Sequence, residues 1–285
     1  MWSFSRFATS KLGCVIGTIE IEFRSYYLSS NGVRAFFMIA RNRVPELMDD
    51  PSLDYESHAA ALRGLARLNE ASHSPASIWA EIKDDARLAA KPLRILDIAT
   101  GGGDIPIALY HKAKQAGLTL EIVGSDISLD AIRYAKSNAL QKKAEVQFVP
   151  LDVFEDQLPS GFDVVMTSLF THHLDPDDVV ALLAKMSCAA RLKVIVNDLV
   201  RSELSYCSVW LATRLLSRSA VVHYDGPVSV NASYTGAEFL DMAGRAGMLE
   251  AAPSGVGPSS LVVKSFPPCR QLLVWRRGAD VHEPC

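Results

Sequence analysis

The sequence lacks the features that mark several large classes of protein. No apolar run is long enough to cross a membrane as a helix, which takes about 20 residues. The formal net charge is only −3, so a phosphate backbone is not expected as the main ligand, and we predict no nucleic-acid partner. Internal repeats and low-complexity segments are absent as well. These absences favour an ordinary globular domain.

Cysteines are few and scattered, with no Cys-x-x-Cys pair and no other metal-ligand spacing. An odd, dispersed set suits reduced thiols, so we expect a cytoplasmic protein. Hydrophobic residues make up 49% of the chain, which is enough for the core of one catalytic domain with additions. Composition leaves the oligomeric state open. The five cysteines are Cys14, Cys188, Cys207, Cys269 and Cys285.

Residues 1–37 fit poorly with the regular chain that follows them. Their short apolar patch, LGCVIGTI, is broken off by Glu20 and Glu22, and no small-residue cleavage signal follows it. A secretory signal peptide is therefore not expected. We expect a disordered tail or a start annotated too far upstream, with Met38 as the alternative first residue.

The most informative stretch is Leu93–Leu109, which reads LRILDIATGGGDIPIAL. Its first part, Leu93–Ile98, is a short apolar run typical of a buried strand. Glycines 101–103 follow at once and permit a sharp turn with no side chain between the backbone and a ligand. Asp104 and Pro106 suit the first turn of a helix. Strand, glycine turn and helix predict the start of a Rossmann-like unit with a ligand at the turn.

The glycine spacing departs from the dinucleotide-binding pattern. Nicotinamide cofactors favour Gly-x-Gly-x-x-Gly, whereas this chain has Pro106 at the third position. An NAD(P)-dependent oxidoreductase is one alternative function, opposed by that substitution. The alternative to a ligand-binding loop is that the glycines only form a tight turn in an ordinary α/β sheet.

Strand and helix patterns alternate after the glycine turn, which predicts a parallel sheet with helices on both faces. Helical patterns capped at Asp54 and restarted at Ser74 precede the first strand. Arg63, Arg67 and Asn69 lie on the polar side of the first helix and are candidates to face the site. A solvated helix face is the alternative for the two arginines. The further predicted strands are Leu120–Gly124, Val146–Pro150, Phe162–Ser168, Leu192–Asn197, Ser260–Phe266 and Arg270–Trp275.

The motif LDIATGGGDIP resembles the first motif of class I S-adenosylmethionine-dependent methyltransferases, closest in type to the small-molecule branch related to quinone-pathway enzymes. Asp97, Gly101 and Gly103 match that motif, and Ala99 stands where its first glycine usually lies. The resemblance runs from about Leu93 to Arg277. It implies an α/β fold: a Rossmann-like seven-stranded sheet with an N-terminal helical lid and a terminal antiparallel strand pair.

The resemblance also implies a domain organisation. Residues 38–92 form the helical lid, and residues 93–285 form the methyltransferase domain. A substrate-lid insertion is expected at about 201–234, with a helical stretch followed by the extended piece VVHYDGPVSV, in which Asp225-Gly226-Pro227 reads as a turn.

S-adenosylmethionine is the cofactor that the resemblance implies. Asp97 serves its ammonium end or orients the loop, Asp126 accepts from the ribose, and Asp152 accepts from the adenine amino group with Val153 beside the ring. The predicted cofactor-binding residues are Asp97, Ala99, Thr100, Gly101, Gly102, Gly103, Asp126, Ile127, Asp152, Val153 and Ser168.

Methyl transfer needs alignment and, for some acceptors, a base. His172 and His173 follow the fourth strand and are the candidate catalytic residues, with His172 favoured; the alternative is a histidine that caps or packs the next helix. No metal is expected, because adjacent positions point different ways and no third ligand is evident.

The expected acceptor is a small, hydroxylated aromatic or quinone-like molecule. Its predicted contacts are Arg201, Tyr206, Trp210 and His223, although core packing explains the aromatic residues equally well. A non-catalytic cofactor-binding protein is the second alternative function, since methyl transfer needs no invariant nucleophile.

Overall fold

The computed structural model describes residues 40–50, 52–249 and 259–278. The proposed leader 1–37, the alternative start Met38, Cys14 and Cys285 lie outside these ranges. The helices are α1 Tyr55–Ala71, α2 Ser74–Leu88, α3 Asp104–Gln115, α4 Leu129–Gln141, α5 Pro176–Ala189, α6 Glu203–Leu216, α7 Ala220–Ala232 and α8 Gly236–Arg245. The strands are β1 Leu93–Ile98, β2 Leu120–Asp126, β3 Val146–Pro150, β4 Phe162–Ser168, β5 Ala190–Leu199, β6 Ser260–Phe266 and β7 Arg270–Arg276. Short 3₁₀ turns lie at Leu47–Asp49 and Thr171–His173.

The strands form one seven-stranded sheet in the order β3-β2-β1-β4-β5-β7-β6. Strands β1 to β5 are parallel, whereas β7 is antiparallel to both β5 and β6. The predicted α/β class and the terminal antiparallel pair are confirmed. Because β7 runs backwards beside β5, its first residue, Arg270, pairs with Leu199 at the carboxyl end of β5.

Both faces of the sheet are buried, as expected for a parallel sheet covered by helices. Ile95 and Val164 belong to the core between the sheet and α2 and α3. Their neighbours in the strands, Leu96 and Val165, belong to the core on the opposite face. Alternate residues of each strand therefore fill two separate cores, and the carboxyl edge of the sheet stays available for a site.

Several helices begin where their capping residues predict. The Asp54 carboxylate accepts from the backbone N–H of Ser57 at 2.9 Å, and Ser128 caps α4 in the same way. Thr235 and Glu238 form the reciprocal capping box expected at the start of α8. Because these caps are local, the sequence pattern was sufficient to predict them.

The expectation of an extended piece at VVHYDGPVSV is wrong, because this stretch forms most of α7. The Ser219 side chain caps the helix, and Gly226, in place of a turn, lies in its interior against α6. A Cβ built on Gly226 would lie 2.5 Å from Cγ2 of Thr213. This close helix–helix packing outweighs the strand preference of the valines. We refer to α6 and α7 as the lid helices.

The lid helices also contact α1. A Cβ on Gly64 of α1 would lie 2.5 Å from Oγ of Ser217, which follows α6. Val221 and Val222 of α7 pack with Ala61 of α1. Among the described residues, no helix is long and apolar enough to cross a membrane.

Candidate active site

A cavity of about 890 Å³ lies at the carboxyl ends of the parallel strands. Its walls come from the loops after β1, β2, β3 and β4, from the start of β7, and from α1 and the lid helices. Open α/β sheets bind ligands at this edge. Of the residues predicted from the sequence, the cavity is lined by Asp97, Ala99, Thr100, Gly101, Gly102, Asp126, Ile127, Asp152, Val153, Ser168, His172 and His173.

The glycine loop turns through three positive backbone angles. The φ values are 52° at Ala99, 52° at Gly101 and 69° at Gly103. Ala99 thus adopts a conformation that suits glycine, the residue usual at this position in the resembling motif. Gly103 lies outside the cavity lining, and a Cβ there would meet the Phe148 ring at 2.6 Å. Its observed role is close packing against β3.

Asp126 holds the glycine loop in place. Its Oδ2 accepts from the backbone N–H of Gly101 at 2.8 Å, and its Oδ1 accepts from that of Ser128 at 2.9 Å. Burial raises the pKa of this carboxyl group. Each carboxylate oxygen has a second lone pair, so the side chain can still accept from a ligand hydroxyl.

Asp97 is fully buried at the end of β1 and is only half satisfied. Thr100 Oγ1 donates to its Oδ2 at 2.6 Å, whereas Oδ1 has no hydrogen-bond partner. Burial raises the pKa of Asp97 to about 8. The hydroxyl of Ser168, at the end of β4, is likewise buried without a partner. A buried carboxylate oxygen without a donor is costly, and a bound cationic donor would remove the cost.

Arg270 is a buried cation in the cavity wall that the sequence analysis missed. Its Nε donates to Ser72 Oγ at 3.1 Å and its Nη2 to Asn69 Oδ1 at 2.8 Å, while Nη1 has no partner. Asn69 in turn donates to Asp104 Oδ2 at 3.0 Å. Asn69 therefore lies in the cavity wall. The antiparallel direction of β7 is the signal that could have located Arg270.

Asp152 and Ile127 form the far end of the cavity. Oδ1 of Asp152 accepts from the backbone N–H groups of Phe154 and Glu155 at 2.9 and 3.3 Å, which leaves Oδ2 available as an acceptor. Ile127 is 69% exposed although it is a large apolar residue lining a cavity. Val153 is buried beside them. An apolar surface next to a free acceptor suits a heteroaromatic amine.

His172 is buried and bonded to Asp198 of β5. Nδ1 of the ring lies 2.7 Å from Oδ1 of Asp198, whose other oxygen accepts from the backbone N–H of His172 and from the Thr171 hydroxyl. Burial alone would lower the pKa of His172, but Asp198 and Glu46 raise it to about 10. Both ring nitrogens are then protonated at neutral pH, so His172 must lose a proton before it can act as a base. Its role as the base stays a prediction.

His173 and Glu46 complete a group of side chains on this wall. Nδ1 of His173 lies 2.9 Å from Oδ2 of Asp49. The Glu46 carboxylate lies 3.5 Å from Nε2 of His172 and 3.8 Å from Nε2 of His173. The sequence analysis assigned neither Glu46 nor Asp49 to the site.

The predicted acceptor residues Arg201, Tyr206, Trp210 and His223 lie outside the cavity lining. Arg201 donates to Ser233 O and pairs with Glu238, and His223 donates to Ser217 O. Helical periodicity explains the difference for Tyr206, Trp210 and His223, since other positions of the same helices face inward. Arg201 precedes α6, and its bonds to Ser233 and Glu238 hold it away from the cavity. The inward residues of the lid helices are Ser208, Val209, Ala212, Leu216, Val222, Asp225, Gly226 and Ser229.

Comparison with known proteins agrees with this geometry. Residues 95–192 match the family model described as a methyltransferase domain. This match assigns a methyltransferase domain to residues 95–192. The seven-stranded order with its terminal antiparallel pair is the one that the resemblance to class I S-adenosylmethionine-dependent methyltransferases implied.

Similar proteins include enzymes with different acceptors. A demethylmenaquinone methyltransferase from Thermus thermophilus is 35% identical over 88 residues, which is 30% of this chain and 38% of that protein. A release factor glutamine methyltransferase from Flavobacterium psychrophilum is 26% identical over 148 residues, or 50% of each chain. The chain thus spans half or less of the length of these relatives.

One solved structure shows the same fold across most of the chain. The plantazolicin methyltransferase BpumL, with a monoazolic desmethylPZN analogue and SAH bound, has a TM-score of 0.50 at 16% identity. The match covers 78% of this chain and 84% of BpumL.

Proposed function

We propose that this protein transfers a methyl group from S-adenosylmethionine to a small aromatic or quinone-like acceptor. The observation that carries the proposal is a pair of unsatisfied polar atoms in one cavity, one on an acid and one on a cation. Oδ1 of Asp97 and Nη1 of Arg270 are both buried without a partner, and both residues line the cavity beside the glycine loop. The amino-acid end of S-adenosylmethionine carries one charge of each sign.

Other residues that line the cavity provide the remaining contacts of the proposed cofactor. The ammonium group fits Asp97, and the carboxylate fits Arg270 together with backbone N–H groups at the start of α3. The ribose hydroxyls fit Asp126, and the adenine amino group fits the free oxygen of Asp152 with Ile127 against the ring. These donors and acceptors match the polar groups of S-adenosylmethionine.

The reaction is an in-line displacement. An acceptor atom forms a bond to the methyl carbon while the carbon–sulfur bond breaks and its electron pair stays on sulfur. A hydroxyl acceptor also loses its proton to water or to a base. The protein supplies alignment and excludes water, and alignment alone can contribute about 7–11 kcal/mol.

The acceptor side of the cavity is largely apolar and covered by helices. Leucines of α1 and the inward faces of the lid helices form it, and a flat apolar molecule fits such a wall. The similarity to demethylmenaquinone methyltransferase supports a quinone-like acceptor. The apolar lining residues are Leu62, Leu65, Leu68, Val209, Leu216 and Val222.

Calorimetry with S-adenosylmethionine, S-adenosylhomocysteine and NADH tests the cofactor. Both sulfur compounds should bind with one site per chain, and NADH should give no heat. Mass spectrometry of reactions with a panel of hydroxyquinones, phenols and a release-factor peptide then tests the acceptor class. Binding of NADH alone would refute the proposal. Methylation of the peptide alone would refute the proposed class of acceptor.

A further inference from the structure

Three metal-ligating side chains converge on one wall of the cavity. The nearest ligand atoms of Glu46, His172 and His173 all lie within 4.8 Å of one another. The expectation of no metal rested on a missing third ligand and on adjacent histidines pointing apart. Glu46 supplies that ligand, and in the 3₁₀ turn the two rings lie with their centroids 4.4 Å apart.

Each histidine is oriented by its own carboxylate. Nδ1 of His172 bonds to Asp198 at 2.7 Å, and Nδ1 of His173 bonds to Asp49 at 2.9 Å. Histidines that bind metal ions usually donate their other ring N–H to a carboxylate or carbonyl in this way. With both Nδ1 atoms engaged, the two Nε2 atoms are the ones presented to Glu46. An ion that binds Nε2 of His172 displaces the proton on this nitrogen to solvent.

The spacing across the cluster suits an ion better than direct hydrogen bonds. The Glu46 oxygens lie 3.5 and 3.8 Å from the two Nε2 atoms, which is longer than ordinary hydrogen bonds. Ligand atoms about 2.1 Å from a tetrahedral zinc ion lie about 3.4 Å from one another. The observed distances are therefore close to those between neighbouring ligands of a tetrahedral ion.

Glu46 is held in place by α7, far from it in sequence. Ser229 Oγ donates to Glu46 Oε1 at 2.5 Å, across 183 residues of chain. Asp225 accepts from the backbone N–H groups of Leu47 and Met48 at 2.8 and 3.1 Å. The carboxylate ligand is thus positioned before any ion arrives, as a site on a rigid support requires.

We propose that Glu46, His172 and His173 bind one divalent transition-metal ion of the zinc class. Two nitrogens and one carboxylate oxygen are a ligand set that zinc takes at catalytic sites, where a further position stays open. The next step rests on the proposed function. The open position of the ion would face the cavity and take the hydroxyl oxygen of the acceptor. A bound ion favours loss of the hydroxyl proton to water, and the resulting oxyanion attacks the methyl carbon.

The test is metal binding by the tag-free full chain, without any cofactor. After treatment with a chelator and dialysis, the protein is titrated with Co²⁺, whose visible d–d absorption is intense only in low-coordinate sites. We expect one Co²⁺ per chain with such a spectrum, and displacement by one equivalent of Zn²⁺. Mass spectrometry of the native protein counts the bound ions.

Variants locate the site. His173→Ala and Glu46→Gln should each weaken Co²⁺ binding at least tenfold and remove the intense band. His172 is more deeply buried, so the two other variants keep the test independent of its effect on folding. His58→Ala is the matched control, because His58 lines the same cavity outside the cluster and should leave the spectrum unchanged.

Thermal melting curves identify variants that remain folded. Wild-type protein that binds no Co²⁺, or folded Glu46→Gln and His173→Ala proteins that bind it as the wild type does, would overturn the proposal. Calorimetry with S-adenosylmethionine is a separate measurement. Metal binding without cofactor binding would refute the proposed function and leave the metal site standing.

Discussion

The Arg270 guanidinium donates to the Asn69 side chain over 2.8 Å, although 201 residues separate the two in sequence. This bond and the one to Ser72 fix the arginine across the gap between the terminal strand and α1. Its third nitrogen, Nη1, is left without a partner at the cavity wall. The arrangement holds a cation ready for an anionic group.

Replacing Arg270 with glutamine should weaken binding of S-adenosylhomocysteine by about 10- to 100-fold, the effect of losing a hydrogen bond to a charged group. Methylthioadenosine lacks the amino-acid end and serves as the matched ligand. Its affinity for Arg270→Gln should equal that for the wild type. Calorimetry measures both ligands, and equal losses for the two would show that Arg270 supports the cavity without contacting the carboxylate.

Binding of S-adenosylmethionine should release a proton near pH 7. Burial raises the pKa of Asp97 to about 8, with Asp104 and Asp126 adding to the increase, so the free protein holds Asp97 mostly protonated. An ammonium ligand favours the carboxylate and expels that proton. Calorimetry in buffers of different ionisation enthalpy counts it. Asp97→Asn should abolish the release, and methylthioadenosine should cause none with the wild type.

The same pKa predicts the pH dependence of stability in the free protein. A carboxyl group whose pKa is raised by folding stabilises the native state below its unfolded pKa, and this contribution is lost as the pH rises through about 8. The free energy of unfolding should therefore fall more steeply between pH 4 and pH 8 in the wild type than in Asp97→Asn. Urea titrations at a series of pH values from about 4 to about 8 provide the comparison. Parallel curves would contradict the prediction.

Ala99→Gly should stabilise the protein by about 0.5–1 kcal/mol. A left-handed conformation costs an alanine about 1–2 kcal/mol, which the substitution removes. The greater conformational freedom of glycine in the unfolded chain offsets part of that stabilisation. Ala108→Gly in α3 is the matched control and should destabilise by about 1 kcal/mol. Urea unfolding of both variants checks the opposite signs. Destabilisation by both would mean that Ala99 is not strained.

Gly226→Ala should destabilise the protein by about 1–3 kcal/mol and force the lid helices apart, as overpacking does. The added Cβ would meet Cγ2 of Thr213 at 2.5 Å and Cγ1 of Val209 at 3.1 Å. Adding Thr213→Ser removes the nearer methyl group and should restore part of the loss. Thermal melting of the single and double variants measures the rescue. Additive losses would place the strain elsewhere.

Local patterns were enough to predict most of the framework. The bounds of β3, β4 and β6 follow from short apolar runs between turn residues, and the caps at Asp54 and Ser128 follow from adjacent residues. These elements depend on neighbours in sequence. The lid helix α7 was missed because its valines favour strands, and only packing against α6 and α1 makes them helical.

The polar residues that enter the cavity from distant segments could not be found in the same way. Glu46 lies in an irregular segment, and its position depends on Ser229 and Asp225 of α7. Arg270 reaches the site only because the last strand reverses direction. Each depends on a contact between parts of the chain that no local window contains.

The residues that line the cavity come from two parts of the sequence. The glycine loop, Asp126 and Asp152 lie within the matched domain at residues 95–192, whereas Glu46, the lid helices and Arg270 lie outside it. Mutations in the outer segments are therefore expected to alter acceptor choice more than they alter the proposed adenosine contacts. The same division makes the protein a natural subject for chimeras, in which the lid helices are exchanged as one piece together with the segment that carries Glu46.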